Sequence, residues 1–248
     1  HSIKSQIYTH WEICIADDFS NDQETISYLK QLEKDEPQIK LRFRETNGHI
    51  SACSNTALEL ADGEFICLVD QDDLIAPHAL YHIVEKINSN PSVEFIYSDE
   101  DKINENGWHV QPHFKPDWSP DNLLSRNYIG HLTAIKKSLI NRVGGFRIGY
   151  EGSQDYDLYL RITERLEKKQ IAHIPKVLYH WRMHELSTAS NEIAKQYAFE
   201  NGIKALNDAF SRRNIEAVAQ LQENKPGFYH IEYKLSSQPK VSIIIPSK

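Results

Sequence analysis

Three acids follow an apolar run in the segment FICLVDQDD at residues 65–73. Asp70 and Asp72 alternate in extended chain, so their carboxylates share one face if strand geometry persists to the end of the run. Carboxylates spaced in this way suit Mg²⁺ or Mn²⁺, which take oxygen ligands and complete their shell with water and a diphosphate. The same acids suit a solvated turn with Asp73 capping the next helix, because turns and caps favour aspartate. Taken alone, the spacing favours the turn.

Two other acidic segments pose the same choice. Asp17 and Asp18 follow the apolar run WEICIA at 11–16, where they either form a turn and cap or accept a hydrogen bond from a ligand. Asp155 and Asp157 lie near a predicted helix start, where the helix dipole stabilises carboxylates. The functional alternative is a general base, which requires an acceptor hydroxyl within hydrogen-bond reach. No distance of that kind can be obtained from sequence.

The segment HWRMH at 180–184 combines aromatic and basic side chains. His180 and His184 have a spacing that suggests zinc on a helix, but the pattern is that of a strand and lacks HExxH, so no structural zinc is expected here. Trp181 on its own is typical of a core. Arg182 and His184 are candidates to face a phosphate.

The elements that must position these residues alternate between strands and helices. That alternation indicates β-α-β crossovers and an α/β fold, in which ligands bind beyond the carboxyl ends of strands. Strands are predicted at 11–16, 39–44, 65–69, 93–97, 131–135 and 177–182, and again within 227–248 around a Ser/Gln/Pro linker. Helices are predicted after Ser20, Ser51 and Pro77, over 154–166 and over 192–212.

Composition limits the classes of protein that remain. The 248 residues are 40% hydrophobic and 25% charged, which suits one large domain or one domain plus a fragment of another. A net charge of −7 provides no general attraction for nucleic acid or anionic lipid. The chain has no apolar run of roughly 20 residues and no signal-peptide pattern. Its three cysteines lack paired spacing, so we expect reduced thiols and a cytoplasmic location.

An ordered series of segments resembles the inverting family 2 glycosyltransferases of the GT-A fold. The series consists of SIKSQIYTHWEICIADDFS (2–20), RETNGHISACSNTALELADGEFICLVDQDD (44–73), IYSDEDKI (96–103), VGGFR (143–147), GSQDYDLYLR (152–161) and YHWRMHELSTA (179–189). It is particularly similar to bacterial rhamnosyltransferase-like and O-antigen-type proteins with two such domains in tandem. The resemblance implies transfer of a sugar from a nucleotide-diphosphate donor to a glycan hydroxyl, in surface polysaccharide synthesis.

The resemblance also implies roles for individual residues. Asp155 would be the catalytic base, and Gln154 stands beside it where many members have glutamate. The implied donor-nucleotide residues are Asp17, Asp18, Asn47, Asp70 and Arg182. The implied ligands of Mn²⁺ or Mg²⁺ are Asp72, Asp70 and His184, and the acceptor side would include Asp99, Gln154 and Trp181.

Family 2 proteins open with a β-branched strand ahead of the SIKSQ helix, so this chain is expected to lack the first strand of its fold. We predict a GT-A domain over 1–224, followed over 225–248 by a connecting strand, a linker and the opening strand of a second tandem domain. A secondary hypothesis is that Val241–Ile245 fills the vacant position beside Ile13 and Ile15, in the same or a neighbouring molecule, because an uncovered sheet edge is unfavourable.

The expected partners are a UDP- or dTDP-linked sugar and a glycan or lipid-linked glycan, with no nucleic acid. A peripheral association of the full-length protein with the inner face of the membrane is a further expectation. Two alternatives stay open. A sugar-1-phosphate nucleotidyltransferase is disfavoured by the lack of a Gly-rich phosphate loop. A non-catalytic glycan-binding module is disfavoured by the joint retention of Asp18, Asp70, Asp72 and Asp155.

Overall fold

A computed structural model describes residues 1–183 and 192–247, with side chains from 196 onward in the second range. The described strands are β1 (Ile13–Asp17), β2 (Ile39–Phe43), β3 (Phe65–Leu68), β4 (Leu74–Ile75), β5 (Phe95–Ile103), β6 (His109–His113), β7 (Thr133–Lys136), β8 (Ile171–Arg182), β9 (Ala217–Leu221) and β10 (Tyr229–Tyr233). The described α-helices are α1 (Gln23–Asp35), α2 (His49–Leu60), α3 (Ala79–Ser89), α4 (Pro120–Ser125), α5 (Lys137–Arg142), α6 (Gln154–Thr163) and α7 (Glu192–Arg212).

The helix starts differ in detail from those predicted. The cap of α1 is Asp22 rather than Ser20, because the Asp22 carboxylate accepts hydrogen bonds from the backbone N–H groups of Glu24 and Thr25. Asp73 does not cap α3, since β4 intervenes and α3 has His78 as its N-cap residue. A local pattern therefore locates the helices within a few residues but not their caps.

The strands form separate sheets rather than one continuous parallel sheet. β1 pairs in parallel with β2 in a two-stranded sheet, as the first predicted crossover requires. A six-stranded sheet has the order β3-β7-β5-β8-β4, with β6 added beside the end of β5. β7 lies between β3 and β5 and is antiparallel to both. The sequence pattern alone indicates β3 and β5 as neighbours joined by a simple crossover. The result is a mixed sheet.

Two hydrophobic clusters pack on this sheet. The larger one includes Phe95, Tyr97, Tyr156 and Phe210, and the smaller one includes Ile83 and Ile96. Phe95 and Ile96 belong to different clusters because successive strand residues point to opposite faces. Both faces of the sheet are therefore covered, as expected for an α/β fold.

The hairpin of β9 and β10 packs against the larger cluster. Tyr229 is buried, and its ring stacks on that of Tyr156 with centroids 5.9 Å apart. The connecting strand of the predicted segment 225–248 thus shares the core of the preceding domain. The second tandem domain remains a prediction. Residues 241–247 belong to no described strand and are exposed, so the pairing of Val241–Ile245 with β1 inside one molecule is wrong.

Asp157 lies in the first turn of α6, near the helix start as predicted, and its carboxylate is a buried counter-ion. Its carboxylate, which is fully buried, lies 3.1 Å from Nε of Arg147 and 2.8 Å from Nη2 of Arg161. Arg161 also donates to the carbonyl oxygens of Val143 and Gly145 at 2.8 and 2.7 Å. This cluster attaches the VGGFR segment to α6 and so fixes the helix that carries Asp155.

We predict that Asp157→Asn lowers the free energy of unfolding by about 3–5 kcal/mol, because it leaves two guanidinium groups without their buried carboxylate. Denaturant unfolding followed by circular dichroism measures the change. The control is Asp35→Asn on the exposed surface of α1, where the expected change is within about 0.5 kcal/mol. Equal effects of the two substitutions would contradict the buried-ion interpretation.

Candidate active site

The turn after β3 is tied to β8 through Asp73. The backbone N–H of Asp73 donates to the Asp70 carbonyl oxygen at 3.2 Å, which closes the turn. The hydroxyl of Tyr179 donates to Asp73 Oδ2 at 2.6 Å and accepts from the backbone N–H of Asp70 at 3.2 Å. The backbone N–H of Arg182 donates to Asp73 Oδ1 at 2.8 Å. Asp73 is thus a turn residue that also holds the loop in place.

Asp70 lies beside a histidine. Its side chain is 53% exposed, so a ligand can reach it, and its Oδ2 lies 3.6 Å from Nε2 of His131. The His131 ring stacks on Tyr179 with centroids 4.7 Å apart. Burial by the surrounding protein raises the pKa of Asp70, the charge of His131 opposes that rise, and the charges of Asp73, Asp155 and Asp72 add to it.

Acids from two distant segments lie within electrostatic range of Asp70. Asp72 is exposed on the same turn, and Asp155 lies in the first turn of α6. The Asp155 Oδ2 atom accepts a hydrogen bond from Nδ2 of Asn127 at 2.8 Å. The structure therefore brings together Asp70, Asp72 and Asp155, three residues whose joint position is predicted from sequence.

Buried polar atoms without a protein partner lie in the segments that surround these acids. They are Oδ1 of Asn127, Nδ1 of His131 and Oε1 of Gln154, none of which has a hydrogen-bond partner within the described part of the chain. A buried acceptor or donor left in this state costs free energy, so such atoms are expected where a ligand supplies the missing bond. Gln154 thus retains hydrogen-bonding capacity beside Asp155.

Three of the residues implied to bind the donor nucleotide, Asp17, Asp18 and Asn47, lie near the ends of β1 and β2. Asp17 is buried, and its Oδ1 accepts from the backbone N–H of Ser20 at 2.9 Å, which is a turn role. Oδ1 of Asp18 accepts from the Gly48 N–H at 2.9 Å and lies 2.9 Å from Nε of Arg44, in an ion pair without an aligned hydrogen bond. Nδ2 of Asn47 donates to the Asp18 carbonyl oxygen at 3.1 Å.

A buried ion pair supports the loop that carries Asn127 and His131. The Lys115 ammonium lies 3.1 Å from Glu100 Oε2 and also donates to the carbonyl oxygens of Ile129 and His131. The backbone N–H of His131 donates to Glu100 Oε2 at 2.8 Å. Burial alone would raise the pKa of Glu100, but the hydrogen bond from His113, the Lys115 charge and the His131 N–H together lower it to about 2.

Asp99 and Trp181 have other surroundings than expected. Asp99 is only 3% exposed, and its Oδ1 accepts from the Lys115 backbone N–H at 2.9 Å and from His173 at 2.8 Å, so it is inaccessible to an acceptor. Trp181 is 39% exposed and contacts His131, so its assignment to the core is wrong. The Arg182 side chain is exposed at the end of β8, and His184 lies outside the described residues.

No motif in the sequence marks His131, Asn127 or Lys115 as parts of this site. Each reaches it through partners that are far away along the chain. Tyr179 stands inside the quoted YHWRMH segment, but only its contacts with Asp70 and Asp73 reveal its role.

Comparison with known proteins identifies the family. A family model described as glycosyl transferase family 2 matches residues 1–144. The chain belongs to this family. The O-antigen biosynthesis protein RfbC of Myxococcus xanthus is 32% identical over 247 residues, which is 100% of this chain and 19% of that protein. The uncharacterized protein y4gI of Sinorhizobium fredii is 43% identical over 247 residues, which is 100% of this chain and 27% of that protein.

Two solved structures have the same fold. The Staphylococcus aureus TarS fragment 1–349 in complex with UDP-GlcNAc superposes with a TM-score of 0.61 at 18% identity, covering 85% of this chain and 67% of that one. The Pyrobaculum calidifontis mannosyltransferase PcManGT, in complex with GDP-Man and Mn²⁺, superposes with a TM-score of 0.61 at 21% identity, covering 85% of this chain and 61% of that one. The GT-A fold predicted from sequence is confirmed, and the chain is a glycosyltransferase domain.

The residues that the structure describes include no helix long and apolar enough to cross a membrane.

We predict that Glu100→Gln lowers the free energy of unfolding at pH 7 by about 3–5 kcal/mol, because it leaves the buried Lys115 charge without its carboxylate. The folded-state pKa of Glu100, about 2, lies below its unfolded value. The stabilisation by Glu100 is therefore complete above about pH 5 and is lost as the pH falls toward 2.

The measurement is urea unfolding between pH 7 and pH 2. The difference in stability between wild type and Glu100→Gln should shrink across the acidic part of this range. Glu105→Gln, in an exposed loop, serves as the control and should follow the wild type at every pH. A constant difference between wild type and Glu100→Gln down to pH 2 would contradict the assignment.

Proposed function

We propose that this domain is an inverting, metal-assisted glycosyltransferase that moves a sugar from a nucleotide diphosphate to a glycan hydroxyl. The observation that carries the proposal is that Asp155 lies within electrostatic range of the turn that bears Asp70 and Asp72, where its charge adds to the effect of burial in raising the pKa of Asp70. A base for the acceptor and oxygen ligands for a diphosphate-bound cation must lie close together for this reaction. Surface polysaccharide synthesis is the proposed context, supported by the likeness to RfbC.

The acids on the turn after β3 fit a divalent cation. Asp70 and Asp72 offer carboxylate oxygens, the ligands that Mg²⁺ and Mn²⁺ favour. Burial is the main cause of the raised pKa of Asp70, and the charges of Asp73, Asp155 and Asp72 add to it, so added positive charge relieves the repulsion among these carboxylates. The cation, when bound, supplies charge neutralisation for the departing diphosphate. The solved complex of PcManGT with GDP-Man and Mn²⁺ supports this choice of metal class.

Asp155 is the proposed general base. Its carboxylate is partly buried at the start of α6, and the Asn127 amide binds Oδ2, which orients the group. Asp155 accepts the proton of the acceptor hydroxyl as that oxygen attacks the anomeric carbon from the face opposite the nucleotide. One bond forms to the acceptor oxygen and the bond to the diphosphate breaks, so the configuration inverts. Gln154 and the partly exposed Trp181 are the proposed acceptor-side residues. Gln154 Oε1 is buried without a hydrogen-bond partner in the described part of the chain, so a hydroxyl of the acceptor can donate to it.

The nucleotide is proposed to bind near the ends of β1 and β2. Asp18, Asn47 and Asp17 lie there, and the described contacts of the Asp18 carboxylate use Oδ1. Asp18 also fixes the Asn47–Gly48 turn. An added Cβ at Gly48 would lie 2.5 Å from Arg44 Nη2, so glycine allows this close approach. UDP is the proposed nucleotide, supported by the TarS complex with UDP-GlcNAc, and dTDP is the alternative. Arg182 and His184 stay predictions for the diphosphate side.

The alternative enzyme, a sugar-1-phosphate nucleotidyltransferase, needs no base for a sugar hydroxyl. A glycan-binding module needs neither a base nor a metal. The position of Asp155 beside the turn acids favours the transferase over both. The location at the cytoplasmic face of a membrane is proposed with the lipid-linked class of acceptor, and it follows from the polysaccharide context alone.

We predict that Asp155→Asn lowers kcat for transfer by about 10²–10⁴-fold, because the variant cannot take the acceptor proton. Binding of UDP should be unchanged. Transfer by the complete protein from a panel of UDP- and dTDP-sugars measures kcat, and calorimetry measures nucleotide binding. Asp35→Asn on α1 is the control. Wild-type turnover in Asp155→Asn would remove Asp155 as the base.

We predict that Asp72→Asn weakens Mn²⁺-dependent binding of UDP by more than about tenfold, because one carboxylate ligand is lost. Calorimetry with UDP, with and without Mn²⁺, measures the effect in the complete protein. Binding without Mn²⁺ should change little. If wild-type binding of both UDP and dTDP proves independent of metal, the metal-assisted mechanism is wrong.

A further inference from the structure

A second group of imidazole and carboxylate side chains lies on the face of β8 opposite the one that contacts His131. Tyr179 and Trp181 both contact the His131 ring, with centroids 4.7 and 5.5 Å away. Successive strand residues point to opposite faces, so His180 between them points away from His131. Its Nδ1 lies 2.6 Å from Oδ1 of Asp101 on β5. These side chains are therefore separate from the turn that carries Asp70 and Asp72.

Three strands contribute to this group, which we call the His-Asp cluster: Asp101 from β5, His109 from β6 and His180 from β8. Nδ1 of His109 lies 2.8 Å from Oδ2 of Asp101. The two imidazole rings meet edge to face, with centroids 4.6 Å apart and planes at 76°. One ligand atom from each residue lies within 4.8 Å of the other two. Both imidazoles thus direct a nitrogen at one carboxylate.

The ligand types select a class of cation. Two imidazole nitrogens with one carboxylate suit Zn²⁺ and its neighbours Co²⁺ and Ni²⁺, whereas all-oxygen sites suit Mg²⁺ and Mn²⁺. The side chains of Asp101 and His180 are 9% and 13% exposed, which places most of the site inside the protein. The His109 side chain is 56% exposed, so water can complete a tetrahedral shell from that side.

We propose that the His-Asp cluster binds Zn²⁺ or a cation of the same class. The metal takes the place of the two hydrogen bonds to Asp101. A neutral imidazole carries one N–H, and moving that proton from Nδ1 to Nε2 frees Nδ1 to coordinate. Bound metal joins β6 and the end of β8 to β5, and so stabilises the strand that leads into Trp181. This inference does not depend on the proposed transferase function.

The first test is titration of the whole chain with Co²⁺. Four-coordinate Co²⁺ absorbs visible light far more strongly than six-coordinate Co²⁺, which distinguishes the His-Asp cluster from a carboxylate site. We expect one equivalent to produce the strong band. His109→Ala should abolish the band, and the exposed position of His109 leaves the fold intact. His230→Ala, an exposed histidine on β10, is the matched control and should keep it.

The second test is thermal unfolding with Zn²⁺ at about a hundredfold excess over its Kd. We expect Tm to rise by about 5–10 °C in wild type, His230→Ala and Asp72→Asn, but not in His109→Ala. A cluster that only forms hydrogen bonds predicts no band and no rise in Tm. Absence of the band in wild type, its persistence in His109→Ala, or its loss in Asp72→Asn would each overturn the proposal.

Discussion

The geometry of the site depends on one buried ammonium group, that of Lys115. The Lys115 side chain is fully buried, where an unpaired ammonium group would cost several kcal/mol. Glu100 supplies the opposite charge, and two carbonyl oxygens of the 127–131 loop accept hydrogen bonds from the ammonium group. If the loop moved away, the Lys115 ammonium group would lose these hydrogen bonds while still buried. Its position is therefore fixed by electrostatics rather than by regular secondary structure.

This fixed loop connects the two halves of the site. Asn127 at one end contacts Asp155, and His131 at the other lies beside Asp70. The turn that bears Asp70 is held independently by the Tyr179 hydroxyl. Asp70 and Asp155, whose charges repel each other, are thus held in place by neighbours that are themselves fixed. A site organised in this way is prepared for positive charge before any ligand arrives, which lowers the cost of reorganisation during the reaction.

Local patterns in the sequence are sufficient for most elements, including the full span of α7, because helical periodicity and strand-forming runs are short-range signals. The insertion of β7 between β3 and β5 could not be predicted, since strand order is decided by packing between remote segments. The same limit applies to the acids. Asp99, Asp155 and Asp157 have the same side-chain chemistry, yet His173 contacts Asp99 and Arg147 contacts Asp157 in the folded protein. Only the family resemblance selects Asp155 in advance.

The exposed run of β-branched residues at 241–245 has a consequence for the behaviour of the protein in solution. Val241 and Ile243 to Ile245 are each more than three-quarters exposed. Within the described chain, β1 has β2 as its sole strand partner, so one of its edges can accept another strand. An apolar segment of high β propensity near an open edge favours intermolecular pairing. Within the described chain these residues contribute nothing to the core, and their exposed apolar side chains favour association with another strand.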